Sequence, residues 1–227
     1  MEDPIIKFEL GDRTYVFYLP DRQDNLQRVI RETGAFDELE ILADMLLRLA
    51  PGDLVIDCGA NIGNHSIFLA GAAQATVIAI EPYRHLYEIL DRNIALNELD
   101  DRILPLNSAL GAERGTGTVV YGSSVNLGRT RIETPPNGMG PEIAVIPLDA
   151  LELTAPVKLI KIDVEGMEAD VLRGAAGILE RDAPFVYAEA HDETALDDMT
   201  RAVEPFGYVA TTRFEAAPVY LFEKNPS

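Results

Sequence analysis

Acidic residues and glycines that follow two apolar segments have the spacing of a nucleoside-binding turn. Asp57 lies at the end of a run of apolar residues, Gly59 and Gly63 come directly after it, and Glu81 ends a second apolar run 18 residues after Gly63. Glycine permits a tight turn and close approach of the backbone to a ligand. A helix that begins there directs N–H groups at an anion, and a carboxylate after the next strand can accept hydrogen bonds from both ribose hydroxyls.

Two classes of cofactor suit this arrangement. A dinucleotide site normally has three glycines in the order G-x-G-x-x-G, whereas the turn Gly59-Ala-Asn-Ile-Gly63 has two. Asp57 would lie close to a pyrophosphate, but it suits the cationic amino group of S-adenosylmethionine. We therefore expect S-adenosylmethionine as the cofactor. The alternatives are an NAD-dependent oxidoreductase and a non-catalytic cofactor-binding partner domain, and a degenerate site of the latter kind should have lost some of these residues.

The order of apolar segments predicts an α/β fold. Predicted strands at 53–58, 75–81, 103–109, 157–163 and 185–190 alternate with predicted helices near 64–72, 83–97, 166–180 and 194–205. Such alternation indicates a mostly parallel sheet with helices on both faces. The last two strands, 208–214 and 218–222, are predicted to form an antiparallel hairpin, which is more typical of methyltransferase sheets than of dehydrogenase sheets.

Two segments lie outside this regular pattern. Residues 1–50 are predicted to form an arm with a hairpin around Gly11 and Asp12 and a helical region over 24–49. Residues 111–142 are rich in glycine and proline, and strands at 116–121 and 142–147 flank a predicted lid loop, 122–142, because long loops in compact domains often cover binding sites. The remainder, 51–227, is predicted to be the catalytic core of a single domain.

Composition restricts the choice of partners and compartment. The 227 residues contain 38 Asp and Glu against 19 Lys and Arg, a formal charge of −19. A chain this acidic is repelled by nucleic acid and by anionic lipid, and no apolar run is long enough to span a bilayer. Cys58 is the one cysteine, so no internal disulfide can form. We expect a cytoplasmic protein with neither nucleic acid nor membrane as a partner, and a homodimer stays open.

The sequence resembles the FkbM family of S-adenosylmethionine-dependent methyltransferases over residues 36–190. The resemblance depends on Val55-Ile-Asp-Cys-Gly-Ala-Asn-Ile-Gly63, Ala79-Ile-Glu-Pro82 and Asn107-Ser-Ala-Leu110. The most distinctive block is Leu159-Ile-Lys-Ile-Asp-Val-Glu-Gly-Met-Glu168, which continues to Gly174. It implies the Rossmann-like class I methyltransferase fold with a seven-stranded sheet, and methyl transfer to a hydroxyl of a sugar, polyketide or other small molecule.

The resemblance also implies roles for individual residues. The methionine part of the cofactor would be surrounded by Asp57, Gly59, Ala60, Asn61 and Gly63, and Glu81 would bind the ribose. Ser108 and Ala109 would line the adenine. Asp163 would lie beside the reactive methyl group.

Methyl transfer to a hydroxyl also requires a group that removes the acceptor proton. Asp163, Glu165, Glu189 and His191 all fall at or just after the ends of predicted strands, where open α/β sheets place their sites. Asp163 can orient the cofactor amine or the acceptor, Glu165 either acts in the site or stabilises a helix N-terminus, and His191 is the candidate base. Glu168 is expected to be a solvated or helix-pairing residue.

A divalent metal is a further alternative at the same place. Asp163, Glu189 and His191 offer oxygen ligands with one imidazole, a set that suits Mg²⁺ or Mn²⁺. The metal is not favoured, and no metal ligand is assigned. The other histidines, His65 and His85, are expected to have packing or surface roles.

Overall fold

The computed structural model describes residues 4–122, 125–136, 138–153, 155–215 and 217–225. After an initial strand pair, strands and helices alternate along most of the chain. The strands are β1 (Ile5–Leu10), β2 (Arg13–Tyr18), β3 (Leu54–Cys58), β4 (Thr76–Ile80), β5 (Ile103–Leu106), β6 (Ala109–Leu110), β7 (Gly115–Val120), β8 (Arg131–Glu133), β9 (Glu142–Ile146), β10 (Val157–Ile162), β11 (Phe185–Glu189), β12 (Tyr208–Arg213) and β13 (Val219–Lys224). The helices are α1 (Asn25–Thr33), α2 (Leu39–Arg48), α3 (Asn64–Ala72), α4 (Arg84–Leu96), α5 (Glu168–Arg173), α6 (Ala176–Asp182) and α7 (Glu193–Val203).

A seven-stranded sheet forms the centre of the molecule, in the order β12-β13-β11-β10-β3-β4-β5. Neighbouring strands from β11 to β5 are parallel, and β13 is antiparallel to both β11 and β12. Two parallel neighbours need a crossover connection, which the helices supply. The mostly parallel α/β sheet predicted from the alternation of segments is therefore present.

Each face of this sheet packs against its own set of helices. On one face, residues such as Val55 and Leu159 pack with apolar side chains of α2, α3 and α4. On the other face, residues such as Ile56 and Ile160 pack with α5, α6 and α7. Successive side chains of a strand point to opposite faces, so a strand covered on both sides must be apolar throughout, as β3 largely is. Cys58 is buried in the second of these cores.

Two predicted helices are each divided into two. The helical region predicted over 24–49 consists of α1 and α2, because α1 ends at Gly34 in a left-handed conformation with φ of 60°. The helix predicted over 166–180 consists of α5 and α6, separated at Gly174. A Cβ atom at Gly174 would lie 2.2 Å from the carbonyl oxygen of Gly111, so this glycine lets the helix pair approach the neighbouring loop.

Strands β6 to β9 form a second sheet, in which β7 and β9 correspond to the strands predicted at 116–121 and 142–147. Its order is β6-β9-β7-β8, and the predicted strand over 103–109 is divided between β5 in the large sheet and β6 in this one. The predicted lid loop 122–142 contains a 3-10 helix over Leu127–Arg129 and strand β8, which pairs with β7. Within this segment, Ser123, Ser124 and Asn137 lie outside the described residues.

The N-terminal hairpin, β1 and β2, is attached to helix α4 of the seven-stranded core by buried asparagines. Asn93 Oδ1 accepts a hydrogen bond from the Tyr18 amide at 2.7 Å, and Asn93 Nδ2 donates to the Ile62 carbonyl at 2.9 Å. Asn97 exchanges hydrogen bonds with the backbone of Val16. The two side chains therefore satisfy backbone groups along the free edge of β2 and fix the position of this strand on α4.

Among the described residues, no helix is both long and apolar enough to cross a membrane.

We predict that Asn93→Ala destabilises the protein much more than a substitution of the same size at the surface. It leaves the Tyr18 amide and the buried Ile62 carbonyl without a partner, and each unsatisfied buried group costs about 1–3 kcal/mol. We expect a loss of about 2–4 kcal/mol in the free energy of unfolding, measured by urea denaturation. Asp91→Ala, at an exposed position of the same helix, is the control and should change it by less than about 0.5 kcal/mol. Equal effects of the two variants would show that Asn93 does not anchor the hairpin.

Candidate functional site

A cavity of about 270 Å³ lies at the carboxyl edge of the central strands. Its walls come from the segments after β3, β4, β10 and β11, together with β6, parts of the arm and the predicted lid. Open α/β sheets bind ligands at this edge, and the volume approaches the lower limit of typical small-molecule sites. The predicted residues that line it are Gly59, Ala60, Asn61, Glu81, Ser108, Ala109, Asp163, Glu165, Glu189 and His191.

The turn after β3 is held rigidly in a conformation that requires glycine. Gly59 has φ of 80°, and a Cβ atom there would lie 1.7 Å from the carbonyl oxygen of Asp163. The amides of Gly59 and Ala60 both donate to the Ile80 carbonyl, at 2.9 and 3.0 Å. Asn61 also has a positive φ, 52°, and its buried Oδ1 atom has no hydrogen-bond partner among the described residues. A buried polar atom without a partner in a cavity wall is a place for a ligand donor.

Glu81 is buried at the end of β4 and organises the same turn. Its Oε2 accepts from the Asn61 amide at 2.9 Å, and its Oε1 accepts from the Tyr83 amide at 2.7 Å. Burial raises the pKa of Glu81 to about 7, against these two hydrogen bonds and the charge of Lys161, which lower it. Each carboxylate oxygen has two lone pairs, so both retain capacity to accept from a ligand hydroxyl.

The structure corrects our expectation that Asp57 faces the cofactor directly. Its side chain is fully buried below the cavity wall, where Oδ2 accepts from Ser66 Oγ at 2.6 Å and Oδ1 lies 3.3 Å from Lys161 Nζ. The carboxylate is covered because Lys161, on the adjacent strand β10, is in register with it.

Lys161 is the residue in this region that our sequence analysis missed. It is 7% exposed and lines the cavity. Its Nζ donates to the Gly59 carbonyl at 3.0 Å and lies 3.6 Å from Asp163 Oδ2. A lysine between the buried apolar residues Ile160 and Ile162 of a central strand was the available signal, since a buried lysine is rare unless it is paired.

Gly63 also has a different environment from the one predicted. It begins α3 with φ of 96°, and a Cβ atom there would lie 2.9 Å from Leu90 Cδ1. Glycine is therefore required at this position by the backbone conformation and by packing against α4, and the residue does not form part of the cavity wall.

Three acidic side chains, those of Asp163, Glu165 and Glu189, and one histidine come together in the cavity wall. His191 Nε2 lies 3.5 Å from Glu165 Oε2 and 3.5 Å from Glu189 Oε2. The pKa of Glu189 is raised to about 9, mainly by burial and to a smaller extent by the charge of Asp163 and a hydrogen bond with Asp163. Burial and Asp163 also raise the pKa of Glu165, against His191 and Arg129, which lower it. At neutral pH this group therefore holds a proton that separated carboxylates would have lost.

The residues between β10 and α5 are arranged differently from our prediction. Glu165 does not belong to a helix: it has φ of 54° in the turn that precedes α5. Glu168, expected to be solvated, is 4% exposed and accepts hydrogen bonds from the amides of Val164 and Gly166, at 3.3 and 3.0 Å. These hydrogen bonds of Glu168 fix the turn over residues 164–166, in which the Glu165 side chain points towards His191.

The adenine-side candidates lie where β6 enters the second sheet. Ser108 and Ala109 both line the cavity, and Ser108 Oγ donates to the Ala144 carbonyl at 3.0 Å. Asn107 Nδ2 donates to the carbonyls of Glu81 and Pro82, at 2.8 and 3.0 Å. These bonds fix the segment after β5 against the segment after β4.

The arm and part of the predicted lid complete the cavity. Asn126, Gly128 and Arg129 line it from the lid side, and a Cβ atom at Gly128 would lie 2.9 Å from Asn61 Nδ2. One carboxylate joins the two segments: Asp24 Oδ1 accepts from Gln27 at the start of α1, and Asp24 Oδ2 accepts from the Leu127 amide at 2.9 Å.

The arm contributes a second contact beside the glycine turn. His65 Nε2 lies 3.2 Å from Glu38 Oε2, and both residues line the cavity. Burial raises the pKa of Glu38, but the hydrogen bond with His65 and the charges of His65 and Lys161 outweigh burial and lower it. His85, in contrast, is half-exposed and pairs with Asp21 at 2.8 Å. Within the described ranges, no group of three or more His, Cys, Asp or Glu has an arrangement for holding a metal ion.

Comparison with known proteins identifies the family. Residues 57–210 match the model of the methyltransferase FkbM domain. The methyltransferase sdnD of Sordaria araneosa is 27% identical over 162 residues, which cover 57% of this chain and 62% of that protein. The hexuronic acid methyltransferase AglP of Haloferax volcanii is 26% identical over 167 residues, which cover 72% of this chain and 66% of that protein. The chain therefore spans about two thirds or less of the length of these curated relatives.

Solved structures show the same fold. The methyltransferase FkbM from Methylobacillus flagellatus KT superposes with a TM-score of 0.60 at 24% identity, covering 79% of this chain and 45% of that one. TYW2 of M. jannaschii, solved in complex with AdoMet, superposes with a TM-score of 0.50 at 14% identity, covering 99% of this chain and 89% of that one. Because the family model matches well over half of the sequence and includes the glycine turn, Glu81, Asp163 and His191, the chain belongs to the FkbM methyltransferase domain family.

Proposed function

We propose that this protein is an S-adenosylmethionine-dependent O-methyltransferase that acts on a hydroxyl of a small molecule. The observation that carries the proposal is that one cavity joins the Glu81 carboxylate and the glycine turn to the Glu165–His191–Glu189 group. Such a cavity can hold a nucleoside cofactor beside a group that takes a proton. Membership of a methyltransferase family favours this reading over the NAD-dependent oxidoreductase considered from the sequence.

The residues of the cavity wall fit the proposed cofactor. Glu81 retains lone pairs for the two ribose hydroxyls, and Asn61 Oδ1 is a buried acceptor without a partner among the described residues. Asp163 and Glu38 supply negative charge for an amino group, and Ser108 and Ala109 border the adenine side. When bound, S-adenosylmethionine supplies a methyl group that is already activated by its sulfonium charge.

The protein's own chemical task is to remove the acceptor proton. If S-adenosylmethionine supplied the methyl group and left as S-adenosylhomocysteine, the acceptor hydroxyl would have to lose its proton to a group of the protein. His191 is the base in this proposal, because its imidazole lines the cavity and its Nε2 lies 3.5 Å from a carboxyl oxygen of Glu165 and of Glu189, which hold the ring in place.

The relatives and the cavity support a small acceptor. AglP is named as a hexuronic acid methyltransferase, and the arm and the predicted lid border a cavity of about 270 Å³, which is close to the size of a small-molecule site. We extend the substrate class to sugars, polyketides and similar hydroxylated compounds.

We predict that Glu81→Gln weakens the binding of S-adenosylmethionine about 10- to 100-fold. The amide offers the ribose hydroxyls one acceptor oxygen and no charge, and hydrogen bonds to charged groups contribute about 1.5–3 kcal/mol. Isothermal titration calorimetry at pH 8, above the raised pKa of Glu81, measures the change. Glu88→Gln, at an exposed position of α4, is the matched control and should bind as the parent does. Failure of the parent protein to bind S-adenosylmethionine would contradict the proposed function itself.

We also predict that His191→Gln lowers kcat about 10²- to 10⁴-fold, the usual contribution of a general base, while the Kd for S-adenosylmethionine changes less than about twofold. Turnover is followed as transfer of labelled methyl from S-adenosylmethionine to a panel of methyl glycosides and uronic acids. His85→Gln, whose ring pairs with Asp21 away from the cavity, is the control. Unchanged turnover of His191→Gln would remove this residue from the mechanism.

A further inference from the structure

We infer that Lys161 is a positioning residue of the cofactor site: its ammonium group holds the Asp163 carboxylate and the Gly59 carbonyl in the arrangement that receives the methionine part of the cofactor. The inference rests on the proposed function, because it assigns a role within the proposed cofactor site. Lys161 acts through Asp163 and the glycine turn, and it takes no part in the transfer of the methyl group.

The place of Lys161 in the fold requires an explanation beyond stability. It lies within β10, whose other neighbours at this point are apolar and buried. Taking a charge out of water is costly, and apolar residues of similar volume often replace a buried ion pair without loss of stability. A buried lysine paired with Asp57 is therefore weak evidence of a stabilising role, and it points instead to a use for the charge.

The ammonium group contacts more than one partner. Besides Asp57 Oδ1 at 3.3 Å, Nζ contacts the Gly59 carbonyl at 3.0 Å and Asp163 Oδ2 at 3.6 Å. Asp57 is fully buried, whereas the Asp163 side chain is 41% exposed. Of these partners, Asp163 is the carboxylate that reaches the cavity, so it is through Asp163 that the charge of Lys161 affects a ligand.

The surroundings of Asp163 are rich in acidic groups. Its charge raises the pKa of both Glu165 and Glu189, because like charges at short range repel, and a cation beside Asp163 offsets this repulsion. Other cationic or ionisable groups face this cluster from other elements: Arg129 on the lid side, His191 after β11 and His65 in α3, which pairs with Glu38. Lys161 is the one of these that contacts Asp163 from within the sheet, where it cannot move away with the lid.

The same contact joins two walls of the cavity. The turn and the end of β10 touch directly, since a Cβ atom at Gly59 would lie 1.7 Å from the Asp163 carbonyl oxygen, and the Asp163 amide donates to the Cys58 carbonyl at 3.0 Å. Lys161 adds a third link by binding both the turn and the Asp163 side chain. Loss of its charge should therefore disturb the methionine side of the cavity and spare the adenosine side at Glu81.

The experiment compares two variants that both lack the charge of Asp57. Lys161→Met alone would leave Asp57 as an unpaired buried charge and can prevent folding, so it is avoided. Asp57→Asn keeps Lys161, and Asp57→Asn with Lys161→Met replaces the pair by neutral side chains. Thermal unfolding establishes that both fold. If the second does not fold, Asp57→Asn with Lys161→Gln takes its place, because glutamine can still donate to the Gly59 carbonyl.

Isothermal titration calorimetry then measures two probes, S-adenosylmethionine and 5′-methylthioadenosine, which lacks the amino-acid part. We expect the double variant to bind S-adenosylmethionine about tenfold or more weakly than Asp57→Asn, the usual effect of losing one charge-assisted contact. Binding of 5′-methylthioadenosine should differ less than about twofold between them. The same comparison is then made in variants that also carry Asp163→Asn. There, removal of Lys161 should lower the affinity for S-adenosylmethionine less than about twofold, because coupled residues give non-additive effects.

Two results would overturn the inference. One is equal affinity of the two variants for S-adenosylmethionine, and the other is an equal loss for both probes, which would indicate a general distortion of the cavity. Either result with a parent protein that binds S-adenosylmethionine leaves the proposed function standing. A parent protein that binds neither probe would instead contradict the proposed function.

Discussion

The cavity depends on the close approach of the turn after β3 to the end of β10. The backbone at Gly59 touches the backbone at Asp163, so that position 59 cannot accommodate a side chain. Because the same turn donates two amides to the Ile80 carbonyl at the end of β4, it is fixed between two strands. This position places the Asn61 amide on Glu81 and the Gly59 carbonyl on Lys161. A single backbone contact thus sets the geometry of both the ribose side and the methionine side of the proposed cofactor site.

The parallel sheet also explains the electrostatics of the cavity. Parallel strands bring their carboxyl ends to one edge, and here Glu81, Asp163 and Glu189 come together at that edge although they lie far apart in sequence. Burial and mutual repulsion raise the pKa values of Glu81, Glu165 and Glu189. A cationic ligand relieves this repulsion and favours the ionised carboxylates, and S-adenosylmethionine carries both a sulfonium and an ammonium charge. The charge thus favours the same cofactor that the two-glycine turn predicts.

Features that depend on neighbouring residues in the sequence were predicted well. The alternation of apolar segments predicted the sheet, and the placement of Asp163, Glu189 and His191 after strands predicted that they lie at the edge of the sheet where the cavity is found. Features that depend on register between distant segments were not predicted. Asp57 was expected to face the ligand, but Lys161 lies opposite it in β10 and covers it. Strand β8 and the buried role of Glu168 were missed because both depend on contacts that periodicity does not encode: pairing with β7 and closure of a turn.

Two segments outside the large sheet, the arm and the predicted lid, also line the cavity. The lid and the arm are joined through Asp24, whose carboxylate caps α1 and also binds the Leu127 amide, and through the Asn25 amide, which donates to the Val125 carbonyl at 3.0 Å. The arm is attached to α3 in turn, because Asn64 exchanges two hydrogen bonds with the backbone of Asp37. Among the described residues, neither segment supplies a strand to the large sheet, so substitutions in them can change the shape of the cavity without disturbing the turn or Glu81. The fold thus separates two sets of residues: the edge of the large sheet holds the groups proposed for the cofactor, and the arm and the predicted lid border the rest of the cavity.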